Sequence, residues 1–115
     1  MAYRREKINE LLKQIIGQIF LEEESFGPGV LATILEVQAT EDGRQATVFF
    51  SVWPDEKTAA VELYLEGRRG AIQHELKERV KLYPVPQIKF KLSQEEAEGQ
   101  RVTQLLKKIS REENL

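Results

Sequence analysis

The residues with the clearest chemical potential are Gly67-Arg68-Arg69-Gly70, a G-x-x-G whose two variable positions are both basic. Glycine lets a backbone come close to a ligand, and guanidinium groups match the geometry of phosphate. A helix opening after such a loop also offers unpaired N–H groups to an anion. The same four residues arise where one helix ends on Gly67 and another opens at Gly70 with the arginines merely solvated, so the neighbouring elements have to decide. Further cations follow at Lys77, Arg79, Lys81, Lys89 and Lys91, and Arg4 and Arg5 stand near the N-terminus. Together with Gly67, Arg68, Arg69 and Gly70 these form the candidate set for binding a polyanion. Phe49 and Trp53 alternate onto the same strand face and could stack on bases beside Lys89 and Lys91, unless a helix covers them.

Catalytic chemistry finds little material. The chain has no cysteine, which removes thiolate nucleophiles, disulfides and thiolate metal sites together. Its one histidine, His74, sits between Gln73 and Glu75 on the polar side of a helix pattern. Ser25, Ser51, Ser93 and Ser110 lack a nucleophile elbow, and no Walker-type phosphate loop is present. The expectation is a binding protein rather than an enzyme, with neither metal nor cofactor.

Overall charge first argues against nucleic acid, since 17 basic and 19 acidic residues leave a net −2. The sum conceals segregation. Residues 20–66 hold ten acids against Arg44 and Lys57, a balance of −8, whereas residues 68–91 hold seven bases against Glu75 and Glu78, a balance of +5. A basic face can therefore exist on an acidic chain, with the acidic half expected to turn away from phosphate or toward a basic protein.

At 115 residues the chain has the length of a single domain, read here as 1–115 with the last few residues frayed. Ile8, Leu11, Leu12, Ile15, Ile16 and Ile19 repeat at helical spacing and predict a helix over about 4–21. Glu22, Glu23 and Glu24 then crowd the end at which the helix dipole disfavours carboxylates, so either the helix stops early or these charges serve something else. Residues 30–53 read as a hairpin around Asp42-Gly43, with Val48, Phe50 and Val52 inward; Ile34 and Val37 fall out of phase, by a bulge or by cover on both faces. A helix capped by Asp55 follows, with Ala59, Ala60, Leu63 and Tyr64 as its apolar side and Gly67 as its terminator. Ile72, Leu76 and Val80 predict a second helix, Ile88, Phe90 and Leu92 a third strand, and Ser93 to Ile109 a last helix. A strand, two helices and a strand form a crossover, so the second and third strands should be parallel. The fold class is α+β, in the order α-β-β-α-α-β-α, a three-stranded mixed sheet with helices packed on one face.

In K-homology domains a G-x-x-G joins two helices after a strand and clamps a nucleic-acid backbone, and strand–helix–GxxG–helix–strand is the context found here. Over nearly its whole length the chain resembles the ribosome-binding factor A family, with its type II K-homology fold. Carrying that resemblance are Lys7-Ile8 in the first helix, Thr33 to Val37, Asp42, Ala46 and Val48 to Ser51 in the hairpin, Leu82, Val85-Pro86, Ile88 and Phe90 before and in the third strand, and Glu98-Gly99-x-Arg101 before Leu105-Leu106. Departures are the G-x-x-G itself, where the family has an Ala-x-Gly kink and this chain has Arg68 for the alanine, and Ser93 in place of an acid. The resemblance implies a factor that binds the small ribosomal subunit or its precursor through 16S rRNA and assists late maturation and rRNA processing; a cytoplasmic monomer is the accompanying expectation. The alternative from another class is a protein-interaction module whose acidic stretch, residues 20–66, meets a basic partner such as a ribosomal protein. No apolar run is long enough for a membrane span, and the N-terminus lacks the pattern of an export signal.

Overall fold

The computed structural model describes residues 2–93. Helix α1 (Ala2–Glu23) leads through Gly27 and Gly29, both at positive φ, into strand β1 (Leu31–Ala39). A tight turn returns the chain as β2 (Gln45–Trp53); a 3-10 turn (Asp55–Lys57) and helix α2 (Thr58–Arg79) follow, and β3 (Gln87–Leu92) closes the order. The predicted last helix lies outside the described residues.

The sheet runs β1-β2-β3, with β1 antiparallel and β3 parallel to β2, as a crossover connection requires. At the hairpin, Gly43 takes φ +74°, and the Asp42 carboxylate accepts from the Thr40 hydroxyl and the Arg44 N–H. The phase break in β1 is a bulge: Ile34 pairs with Phe50 and Glu36 with Phe49, which leaves Leu35 without an opposite residue. Leu12, Ile16 and Ile19 of α1, Val48, Phe50 and Val52 of β2, Ile88 of β3, and Val61, Leu65, Ile72 and Leu76 of α2 form one buried cluster. Both described helices thus share one sheet face. Gln73 secures the start of β3, donating to the Pro86 carbonyl and accepting from the Ile88 N–H.

Three expectations need correction. The two predicted helices around the G-x-x-G are one continuous helix of 22 residues, in which neither Gly67 nor Gly70 has positive φ. Of the predicted apolar side only Tyr64 packs against the core; Ala59, Ala60 and Leu63 are exposed, Leu63 to 76%, and Val61 and Leu65 point inward instead. Asp55 makes no capping bond and lies in the 3-10 turn, with Pro54 ahead of it. One physical cause underlies the first two. Between Leu65 and Ile72 the inward stripe passes through position 68, where an arginine interrupts the apolar rhythm beside two glycines, so the periodicity splits although the backbone does not.

Candidate nucleic-acid interface

Arg68 faces inward because its partner is there. Its guanidinium donates through Nε and Nη2 to the two carboxylate oxygens of Glu24, both at 2.8 Å, and the Tyr64 hydroxyl donates to the same carboxylate at 2.8 Å. The Glu24 side chain is only 1% exposed. Burial pushes its carboxyl pKa up, but the bonds from Arg68 and Tyr64 and the charge of Arg68 outweigh that and hold it below the ordinary 4.5. Burial and then the bond to Glu24 raise the Tyr64 hydroxyl, and the bond to Glu24 raises Arg68 still further above its usual value. Phe26, two residues past Glu24, seats its ring 5.5 Å from both Tyr64 and Phe20, so the polar clamp and an aromatic one fix the same loop onto α2.

Arg79 is held in a similar way, at the surface. It reaches Glu22 at 3.0 Å, Glu23 at 3.4 Å and Glu75 at 3.0 Å. The bonds to Glu75 and then Glu22 raise its pKa, and the bonds from Gln18 and Arg79 lower that of Glu22. The acidic run at the end of α1 therefore turns toward the basic helix instead of away from it. Its expected role as a face for a basic partner finds these three carboxylates already engaged by arginines of the same chain.

The remaining members of the predicted set fall into three places. Gly67, Arg69 and Gly70 lie on the exposed side of α2, where a Cβ added at either glycine would meet nothing within 4 Å and Arg69 stands 3.7 Å from Glu66. Lys77 and Lys81 are exposed at and just beyond the end of α2. Lys89 and Lys91 point from β3 onto the sheet face opposite the helices, beside Thr47 and Phe49 of β2 in the register. Farther along that face Trp53 pairs with Leu31, the indole 67% exposed. Arg4 and Arg5 occupy the first turn of α1 and line a cleft with the β1–β2 turn and residues Leu82 to Pro86. Arg4, Arg5, Lys77, Lys81, Lys89 and Lys91 have no carboxylate partner among the described residues.

Among the described residues, the cations without carboxylate partners thus lie on the sheet face, at the end of α2 and at the start of α1, whereas Arg68 and Arg79 are committed to carboxylates. Tyr83, 96% exposed at that cleft, belongs to no predicted set, though an aromatic between Lys81 and Pro84 is the kind of signal that could have drawn attention to it. His74 is exposed and 3.9 Å from Glu78, and no cluster of three or more metal-ligating side chains occurs among the described residues. No helix of the described residues is long and apolar enough to cross a membrane.

Comparison with known proteins bears on the same residues. The family model described as ribosome-binding factor A matches residues 4–106. A ribosome-binding factor A of Halothermothrix orenii is 36% identical over 111 residues, covering 96% of this chain and 91% of that one. Among solved structures, the crystal structure of ribosome-binding factor A from Thermus thermophilus superposes with a TM-score of 0.64 at 20% identity, over 76% of this chain and 93% of that one. A homology model of the Thermus thermophilus protein, fitted into the cryo-EM map of a 30S–RbfA complex, superposes with a TM-score of 0.60 at 21% identity over 72% and 88% of the two chains.

Proposed function

The chain belongs to the ribosome-binding factor A family, and from that premise we propose that it binds the small ribosomal subunit or its precursor through 16S rRNA and assists late maturation without catalysing a reaction. The observation that carries the reading is the family match across residues 4–106. Support comes from the neighbour fitted into a 30S complex and from the cations left without carboxylate partners here. A bacterial ribosome factor works in the cytoplasm.

Rigid helical and sheet surfaces present the cations, so association is electrostatic positioning of phosphates followed by contacts that sense RNA shape. We assign phosphate contact to Arg4, Arg5, Lys77, Lys81, Lys89 and Lys91, with Arg69 and the exposed backbone at Gly67 and Gly70 as a second patch. Arg68 and Arg79 act at one remove: they fix the end of α1 and the following loop against α2, the surface on which that second patch stands. Sedimentation of the tagged full chain from a bacterial lysate tests the reading. Comigration with small subunits at low salt, lost as salt rises, is the expected result. Recovery only at the top of the gradient at every salt concentration would overturn it.

A further inference from the structure

We propose that the cleft between the first turn of α1, the β1–β2 turn and the Leu82–Pro86 connection takes one unstacked nucleobase together with its phosphate, an inference that rests on the RNA-binding reading above. The cleft encloses about 200 Å³. That is smaller than the pockets of roughly 300 Å³ and more that bury a drug-sized ligand, and it suits a single planar ring.

Three kinds of side chain meet there, each matched to a different part of a nucleotide. Tyr83 presents a ring 96% exposed to solvent, so it contributes almost nothing to the core and is available for stacking. Arg4 and Arg5 border the same space, and neither has an ion-pair partner among the described residues, which leaves both guanidiniums for phosphate. Glu41 supplies a carboxylate that likewise makes no hydrogen bond or ion pair there, whereas its neighbour Asp42 is engaged by Thr40 and Arg44. A free carboxylate is out of place in a site for phosphate alone. It is well placed for a base edge carrying an exocyclic amino group, the pairing an acidic side chain makes with cytosine N4. The site therefore selects an amino-bearing base, cytosine being the plainest case, over uracil, whose corresponding atom is a carbonyl oxygen that Glu41 would repel.

The backbone around the cleft is restrained before any ligand arrives. Gly43 and the Asp42 bonds hold the turn, prolines at 84 and 86 restrict the connection, and Gln73 holds the Pro86 carbonyl. A pre-formed site avoids the ordering cost that a mobile loop would bring.

Amide-resolved NMR titration of the isotope-labelled full chain with CMP and, separately, with UMP tests this. CMP should perturb the amides of Thr40 to Gly43 and Tyr83 and bind more tightly than UMP. Tyr83→Ala should weaken CMP binding about tenfold while leaving the remaining spectrum in place, and Glu41→Gln should erase the preference for CMP. Perturbation by CMP elsewhere, or none, or unchanged CMP binding by Tyr83→Ala, would overturn the proposal. The broader reading is separable: if these results fail while the wild-type chain still sediments with small subunits, only the cleft is lost, whereas a chain that never sediments with them overturns the RNA-binding reading itself.

Discussion

Arg68 on α2 and the pair Lys89 and Lys91 on β3 belong to one basic stretch of sequence, yet they end in opposite circumstances. Arg68 lies on the inward stripe of its helix and gives one edge of its guanidinium, Nε and Nη2, to a carboxylate that is 1% exposed. Lys89 and Lys91 lie on the sheet face that neither described helix covers, with no acid in reach among the described residues. A segment charge of +5 counts the three residues alike. The fold does not: a cation spent on a buried carboxylate is a structural element, and only one left facing solvent contributes to the field that a phosphate backbone senses.

The largest effect should come from removing the acid that separates the two cases. Glu24→Ala should lower unfolding free energy by about 2 kcal/mol, because the charge-assisted bonds that fix the loop to α2 are lost, while the half-exposed Arg68 can turn to water. Chemical denaturation measures it, and a loss well below about 1 kcal/mol would place Glu24 and Arg68 among ordinary surface pairs. Tyr64→Phe removes one bond to the same carboxylate and should cost about 1.5 kcal/mol, read from the same midpoint shift.

Gly70→Ala tests the continuity of α2 itself. In a continuous exposed helix with open space around the added methyl, alanine should raise stability by up to about 1 kcal/mol. A marked fall in melting temperature would instead reveal a glycine-specific junction between two helices. A smaller, graded effect is expected from pH. Glu24 titrates below the ordinary 4.5 in the fold, so its stabilisation is complete above the unfolded value and declines as pH falls through and below about 4.5. The wild type should show that loss of stability on acidification, and Glu24→Gln should show a shallower one.

Much of the fold was legible in the chain. Alternation in residues 46–53, the Asp42-Gly43 turn and the crossover logic place all three strands and their directions, because period-2 burial and turn chemistry are local. The continuity of α2 was not legible. Position 68 carries a charge where the inward stripe needs an apolar residue, and the residue that makes this acceptable, Glu24, stands 44 positions earlier. The same long-range pairing hid the purpose of Glu22, Glu23 and Glu24: three carboxylates at a helix end look unfavourable until Arg68 and Arg79 close on them. The candidate interface was legible as a list of cations but not as a surface, since sequence counts charges without showing which are already paired.

The most direct test of that distinction is the salt dependence of binding to purified small ribosomal subunits. Lys89→Ala with Lys91→Ala should reduce the slope of log K against log salt by about two, roughly one for each lost phosphate contact. Arg79→Gln, which removes a cation already held by Glu22, Glu23 and Glu75, should leave the slope unchanged. An unaltered slope in the lysine variant together with a reduced one in Arg79→Gln would contradict the account, since it would mean that the paired cations, not the open ones, meet the RNA.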